Sequence, residues 1–161
     1  MRQIGTVMKF FTRAWHSGEY DDWSDEEYRA VGPAYRQYVI YISDRLPIEA
    51  LALSHIDLHD GVFKEFKIDE ARQSIHTRIR AGNSSTVCYD VNLNYQDAVI
   101  TETETGGVSA VVSDPETEVL YDEIDVAGDN AFEHRLLLWP RGIFVVRLKQ
   151  LHVTQHPVAS R

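Results

Sequence analysis

Apolar residues recur along the chain with two periods, and the change between them falls near residue 60. Tyr28, Val31, Tyr35, Val39, Ile42 and Leu46 follow at steps of three and four, the spacing that lines one face of a helix. Ser24-Asp25-Glu26-Glu27 stands just ahead of that run and fits a capping box. In that device the serine hydroxyl accepts from a first-turn amide, and the glutamate reaches back to the serine N–H. Gly32-Pro33 interrupts the pattern. Proline has no N–H to continue a helical ladder but suits a first turn. The pattern therefore predicts a short helix over 24–31 and a longer one over 33–45. Leu46-Pro47 stops the second, and Pro47 opens a last short helix through Leu53.

Beyond residue 60 the period is two. Val62, Phe66 and Ile68 alternate with charged residues; 69–72 reads as a turn; Ile75, Thr77, Ile79 and Ala81 then alternate with His76, Arg78 and Arg80. This predicts a hairpin with one apolar and one polar face. Val87, Tyr89, Val91, Leu93 and Tyr95 alternate with Cys88, Asp90, Asn92 and Asn94. Further strands are expected over 98–102, 119–126, 132–139 and 143–148, with 151–154 extending the last. A loop spans 103–107, and Trp139-Pro140-Arg141-Gly142 has the chemistry of a turn. Short strands in series without βαβ units predict an α+β fold: N-terminal helices packed on a mainly antiparallel sheet, as a sandwich or half-barrel. A doubly wound nucleotide fold is disfavoured. A chain of 161 residues suits one core, so a single domain over 8–157 is expected, with flexible ends at 1–7 and 158–161 and fraying from His156.

Charge changes the picture. Residues 81–134 hold twelve carboxylates and no Lys or Arg, while the whole chain sums to −9. The rest is therefore mildly basic, and the acidic middle favours a basic or neutral partner over a nucleic-acid backbone. Cys88 is the one cysteine, which excludes an intramolecular disulfide and suits a cytoplasmic setting. The start MRQIGTVMKFF lacks the pattern of a secretory signal, and no apolar run approaches a membrane span.

Three clusters offer chemistry. His55, Asp57 and His59 would share one face of a strand, where two imidazoles and a carboxylate suit a divalent transition metal; the alternative is a strand start, since Asp60-Gly61 is turn chemistry. Tyr121-Asp122-Glu123-Ile124-Asp125, with Asp129 beyond, is the densest acidic segment. It suits a partner surface, a cation site, or a face ion-paired to Arg78, Arg80, Arg135 or Arg147. His134 alternates with Leu136 and Leu138, the place of a satisfied core histidine, or of a general base beside Asp60 or Asp122. Cys88 falls with Asp90 and Asn92 on a polar face without a motif around it. Trp15, Tyr20 and Trp23 suit anchors for a loop on the sheet, or a stacking surface for a ligand. No cofactor motif is present: neither a nucleophile elbow nor a Gly-rich phosphate loop occurs.

Four blocks carry a resemblance: Met8-Lys9-Phe10-Phe11-Thr12-Arg13-Ala14-Trp15, Leu58-His59-Asp60-Gly61, Val119-Leu120-Tyr121-Asp122-Glu123-Ile124-Asp125, and the run Phe132-Glu133-His134-Arg135-Leu136-Leu137-Leu138-Trp139-Pro140. Together they resemble an uncharacterised bacterial family, a domain of unknown function, from Met8 to about Pro157. The Leu-His-Asp block before a hairpin is also similar to small proteins of toxin–immunity loci. That likeness implies an α+β domain that binds another protein, and it carries over no catalytic residues. The expectation is a non-catalytic cytosolic binding protein, immunity-like in type, presenting Asp122, Glu123 and Asp125 to a basic protein. Its rivals are a metal-dependent hydrolase built on His55, Asp57, His59 and His134, and a half-barrel with an aromatic-lined pocket for a small ligand.

Overall fold

The computed structural model describes residues 8–82, 87–103, 107–128 and 130–159. The leader at 1–7, most of the 103–107 loop, Asp129 and the last two residues lie outside them. A strap from Met8 leads into the short helix α1 (Arg13–His16), and Thr12 caps it by accepting from the Trp15 N–H. Helix α2 (Asp25–Ile42) begins at the expected capping box: the Glu27 N–H donates to Ser24 Oγ at 3.3 Å, and the Ser24 N–H donates to Glu27 Oε2 at 2.6 Å.

α2 is one helix, not the two that Gly32-Pro33 predicts, and Pro33 sits inside it. An interior proline costs about 3 kcal/mol. Pro33 is exposed, however, while Val31, Tyr35, Val39 and Ile42 bury one unbroken face. Burial of an apolar side chain of this size contributes roughly 1.5–3 kcal/mol, so the face outweighs the break. A 3₁₀ turn (Ser43–Arg45) and Pro47 then lead into α3 (Ile48–Ser54), which buries Ala50 and Leu53.

The strands are β1 (Gly61–Asp69), β2 (Ser74–Ala81), β3 (Cys88–Gln96), β4 (Val99–Thr103), β5 (Glu118–Val126), β6 (Phe132–Trp139), β7 (Ile143–Leu148) and β8 (Gln150–Val158). A short helix, α4 (Val108–Ser113), stands between β4 and β5 and buries Val108 and Val112. All the strand pairs are antiparallel, in the order β4-β7-β6-β5-β1-β2-β3-β8, and the sheet is not closed into a barrel. Gly61 opens β1 where a Cβ would stand 2.7 Å from both Ile79 Cγ2 and the Leu58 carbonyl oxygen, so only glycine fits.

Residues 151–154 do not extend β7 as expected. The chain turns a corner at Lys149, and β8 pairs with β3 at the far end of the sheet. β3–β4 and β8–β7 keep one register through that corner, Gln96 opposite Gln150 and then Val99 opposite Arg147. Asp97 takes a positive φ of 48° there, and the Ala98 N–H donates to the Gln73 carbonyl at 2.8 Å. Pairing of Cys88 with Val158 and of Asp90 with His156 orders the segment from His156 that composition suggests would fray.

The sheet packs on one main core, with a smaller cluster of Met8, Leu120 and Leu137 beneath the strap. Ile79, Leu93, Leu136, Phe144 and Val146 belong to the main core, and Phe63 and Phe66 of β1 meet Phe144 of β7 with ring centroids 6.2 and 6.0 Å apart. The joint between the two halves is slight. β1 and β5 pair only at Gly61–Val119 and Val62–Glu118. Past that point the β5 edge bonds to side chains: the Ile124 N–H donates to Tyr35 Oη at 2.8 Å, and His59 Nδ1 donates to the Leu120 carbonyl. Helix α2 and the residues before β1 thus meet an edge of β5 that, past Val119, no strand among the described residues pairs. Among the described residues no helix is long and apolar enough to cross a membrane.

Candidate functional site

A cavity of about 620 Å³ lies between α2, α3, the connection from α3 to β1, and β5. Tyr35, Arg36, Val39 and Ile40 of α2 form one wall, and Leu51 and Ser54 of α3 another. His55, Ile56, Asp57 and His59, from the connection between α3 and β1, line it as well. Leu120, Tyr121 and Asp122 of β5 and Phe11 of the strap complete it. Phe11 stacks on Tyr121 with centroids 4.9 Å apart and planes at 18°, and the His59 ring stands 5.0 Å from Tyr121. The surface thus combines aliphatic and aromatic side chains with a substantial set of polar and charged ones.

A buried polar chain runs from this cavity into the core. His134 Nε2 lies 2.8 Å from Asp122 Oδ2, and Tyr95 Oη lies 2.8 Å from His134 Nδ1. A carboxylate accepts only, so Nε2–H donates to Asp122 and Nδ1 accepts from the Tyr95 hydroxyl. Burial, and then the charge of Asp122, push the Tyr95 hydroxyl well above its ordinary range, which keeps it protonated and donating. His134 has no solvent exposure, while the Asp122 side chain retains 16%. The satisfied core histidine expected from its apolar row is what the structure holds. Of the two carboxylates weighed beside it, Asp122 is the partner.

The acidic segment is not an exposed face. Glu123 is 1% and Asp125 2% exposed. The Glu123 carboxylate accepts from the Phe10 and Phe11 amides at 2.7 Å each and from the Lys9 amide at 2.9 Å. The strap bends at Lys9, Phe10 and Phe11 without a strand partner, and Glu123 supplies the acceptor that these three amides need. Burial raises the Glu123 pKa above its ordinary value, although the three amides and Arg135 draw it down. Asp125 accepts from Tyr38 Oη and pairs with Lys9 Nζ and, at 2.9 Å, with Arg135 Nη2. Burial pushes its carboxyl up, but Lys9, Tyr38 and Arg135 together hold it below its ordinary 3.8. Glu123 and Asp125 are therefore spent inside the molecule, and Asp122 is only partly exposed and lines the cavity, which corrects the expectation that the three form an exposed acidic surface. The ion pair with Arg135 was among the arrangements the sequence offered.

The His55–His59 cluster is corrected too. These residues lie in the turn between α3 and β1, not on a strand, so no alternation places them on one face. Asp57 Oδ1 accepts from the His59 N–H at 3.0 Å, and His59 Nε2 stands 3.4 Å from Asp60. Among the described residues no three His, Cys, Asp or Glu side chains are grouped to hold a metal. All of His55, Asp57 and His59 nonetheless line the cavity. Cys88 is buried.

Trp15 packs edge-on against Tyr121 of the sheet at 5.1 Å, whereas Tyr20 and Trp23 pack with each other and with Tyr28 of α2. Sequence patterning marked Tyr35 and Val39 only as a helix's buried face; that this face borders a cavity depends on how α2 meets α3 and β5. Tyr95 carried a usable signal, since a buried tyrosine needs a partner for its hydroxyl. No protein-family model matches the chain, and no curated protein matches it.

Proposed function

We propose that this is a small-molecule-binding protein and that the cavity between α2, α3 and β5 is its ligand site. One observation carries this: about 620 Å³ of space beside β5 whose aliphatic and aromatic walls are interspersed with polar and charged side chains that can orient a ligand. Binding sites for small molecules commonly have this size and composition. The preference over a protein-binding acidic face follows from the internal engagement of Glu123 and Asp125. The preference over a metal-dependent hydrolase follows from the dispersal of its ligand set in a turn.

A fragment screen by ligand-observed NMR tests the proposal, with Ile40→Trp as the blocking variant. Ile40 lines the cavity and is 64% exposed, so a larger side chain there narrows the entrance without disturbing the core. Fragments with an aromatic or aliphatic body should bind, and Ile40→Trp should weaken them about tenfold at an unchanged melting temperature. An empty screen, or hits indifferent to Ile40→Trp, would overturn the proposal.

A further inference from the structure

Resting on the cavity as the ligand site, we infer that its ligand is a cationic amine with an aromatic or alicyclic body, the ammonium seated on Asp122. The Asp122 side chain is 16% exposed and lines the cavity. His134 occupies its Oδ2 from the core side. Among the described residues no Lys or Arg pairs with it, and its second oxygen has no hydrogen-bond partner. A largely buried carboxylate is costly to desolvate unless a cation or further donors meet it. Here the protein supplies one donor, and the remaining acceptor belongs to the cavity.

The surroundings select for positive charge. The rings of Tyr35, Tyr121 and Phe11 border the same space, and an aromatic face attracts an ammonium through its quadrupole. Residues 81–134, which include all of β5, contain no Lys or Arg, so the strand carrying Asp122 brings no competing cation. The chain's net charge of −9 adds a long-range attraction. Arg36 is the opposing feature. It lines the cavity but is exposed, where solvent and salt screen its charge more than they screen that of Asp122.

Three matched probes decide the matter: phenethylamine, 2-phenylethanol and 3-phenylpropanoate, titrated by NMR against the wild-type chain, Asp122→Asn and Arg36→Ala. Asparagine is nearly isosteric and can still accept from His134. Phenethylamine should bind at least about tenfold more tightly than the alcohol, and Asp122→Asn should abolish that preference while leaving alcohol binding in place. Equal affinity of amine and alcohol for the wild-type chain overturns the inference but leaves the cavity as a ligand site. Preference for the carboxylate, lost in Arg36→Ala, overturns it in favour of an anionic ligand. Failure of all three probes, together with an empty fragment screen, removes the cavity site and this inference with it. The wild-type titrations alone separate an amine preference from its absence, even if Asp122→Asn does not fold.

Discussion

Replacing Glu123 with glutamine should loosen the strap from the sheet, and the cost follows from counting donors. Oε1 accepts from the Phe10 and Phe11 amides and Oε2 from the Lys9 amide, all at 2.7–2.9 Å. Glutamine offers one acceptor oxygen. If that oxygen serves Phe10 and Phe11, the side-chain NH₂ meets the Lys9 N–H, donor against donor. One buried donor left unmet costs about 1–3 kcal/mol, and two charge-assisted bonds weakened to neutral ones cost roughly 1 kcal/mol each. Against this stands the desolvation of the carboxylate, which glutamine avoids and which the raised pKa of Glu123 records. The net loss should be about 2–3 kcal/mol. In urea at neutral pH that moves the unfolding midpoint down by roughly 1 M. Hydrogen exchange adds a local readout: the Lys9, Phe10 and Phe11 amides should lose protection beyond the global change. Phe11 lines the cavity, so probe affinity should fall as well. A loss below about 0.5 kcal/mol with those amides still protected would show that Glu123 does not hold the strap.

Tyr95→Phe should cost about 1–2 kcal/mol in urea unfolding, because it leaves His134 Nδ1 a buried acceptor without a donor; a neutral result would mean that the bond contributes nothing net. Pro33→Ala should stabilise the chain by about 1–2 kcal/mol, by restoring a helical N–H at an exposed position; destabilisation would argue for a real break in α2. Asp125 is held below its ordinary 3.8 in the folded state, so the unfolded chain binds the proton more readily. Its stabilisation is therefore present above that ordinary value and lost as pH falls through the lower folded one. Asp125→Asn should flatten that acid limb in melts across pH 2–5, and an unaltered slope would exclude Asp125 as its source. Glu123 has the opposite sign: its raised pKa favours the fold below its ordinary 4.5, and that contribution fades as pH rises through the folded value.

Local physics was legible in the residues themselves. Ser24 and Glu27 announced the start of α2, and the alternation of Ile75 to Ala81 and of Val91 to Tyr95 announced two strands and their buried faces. Capping is settled within one helical turn and alternation within a few residues, so neither waits for the rest of the chain. Pro33 was misleading because its local cost is outweighed only once the whole face of α2 finds a core. The α+β class and the antiparallel strands followed from the order of the periods.

What the tertiary structure alone decided is where those pieces meet. β7 and β8 are separated by one residue, yet β8 pairs with β3 because the ladder turns a corner, and hydrophobic alternation does not encode which strand lies beside which. The β1–β5 joint ends just before Leu120, Tyr121 and Asp122, which border the cavity, and nothing in residues 61–62 or 118–119 signals that pairing will stop there. Asp122, Glu123 and Asp125 read as one acidic patch, but the pleat of β5 sends Asp122 towards His134 and turns Glu123 and Asp125 towards the strap and α2. The reason is physical. A charge count is indifferent to direction, whereas the fate of a carboxylate depends on which donors the fold brings against it from residues tens of positions away.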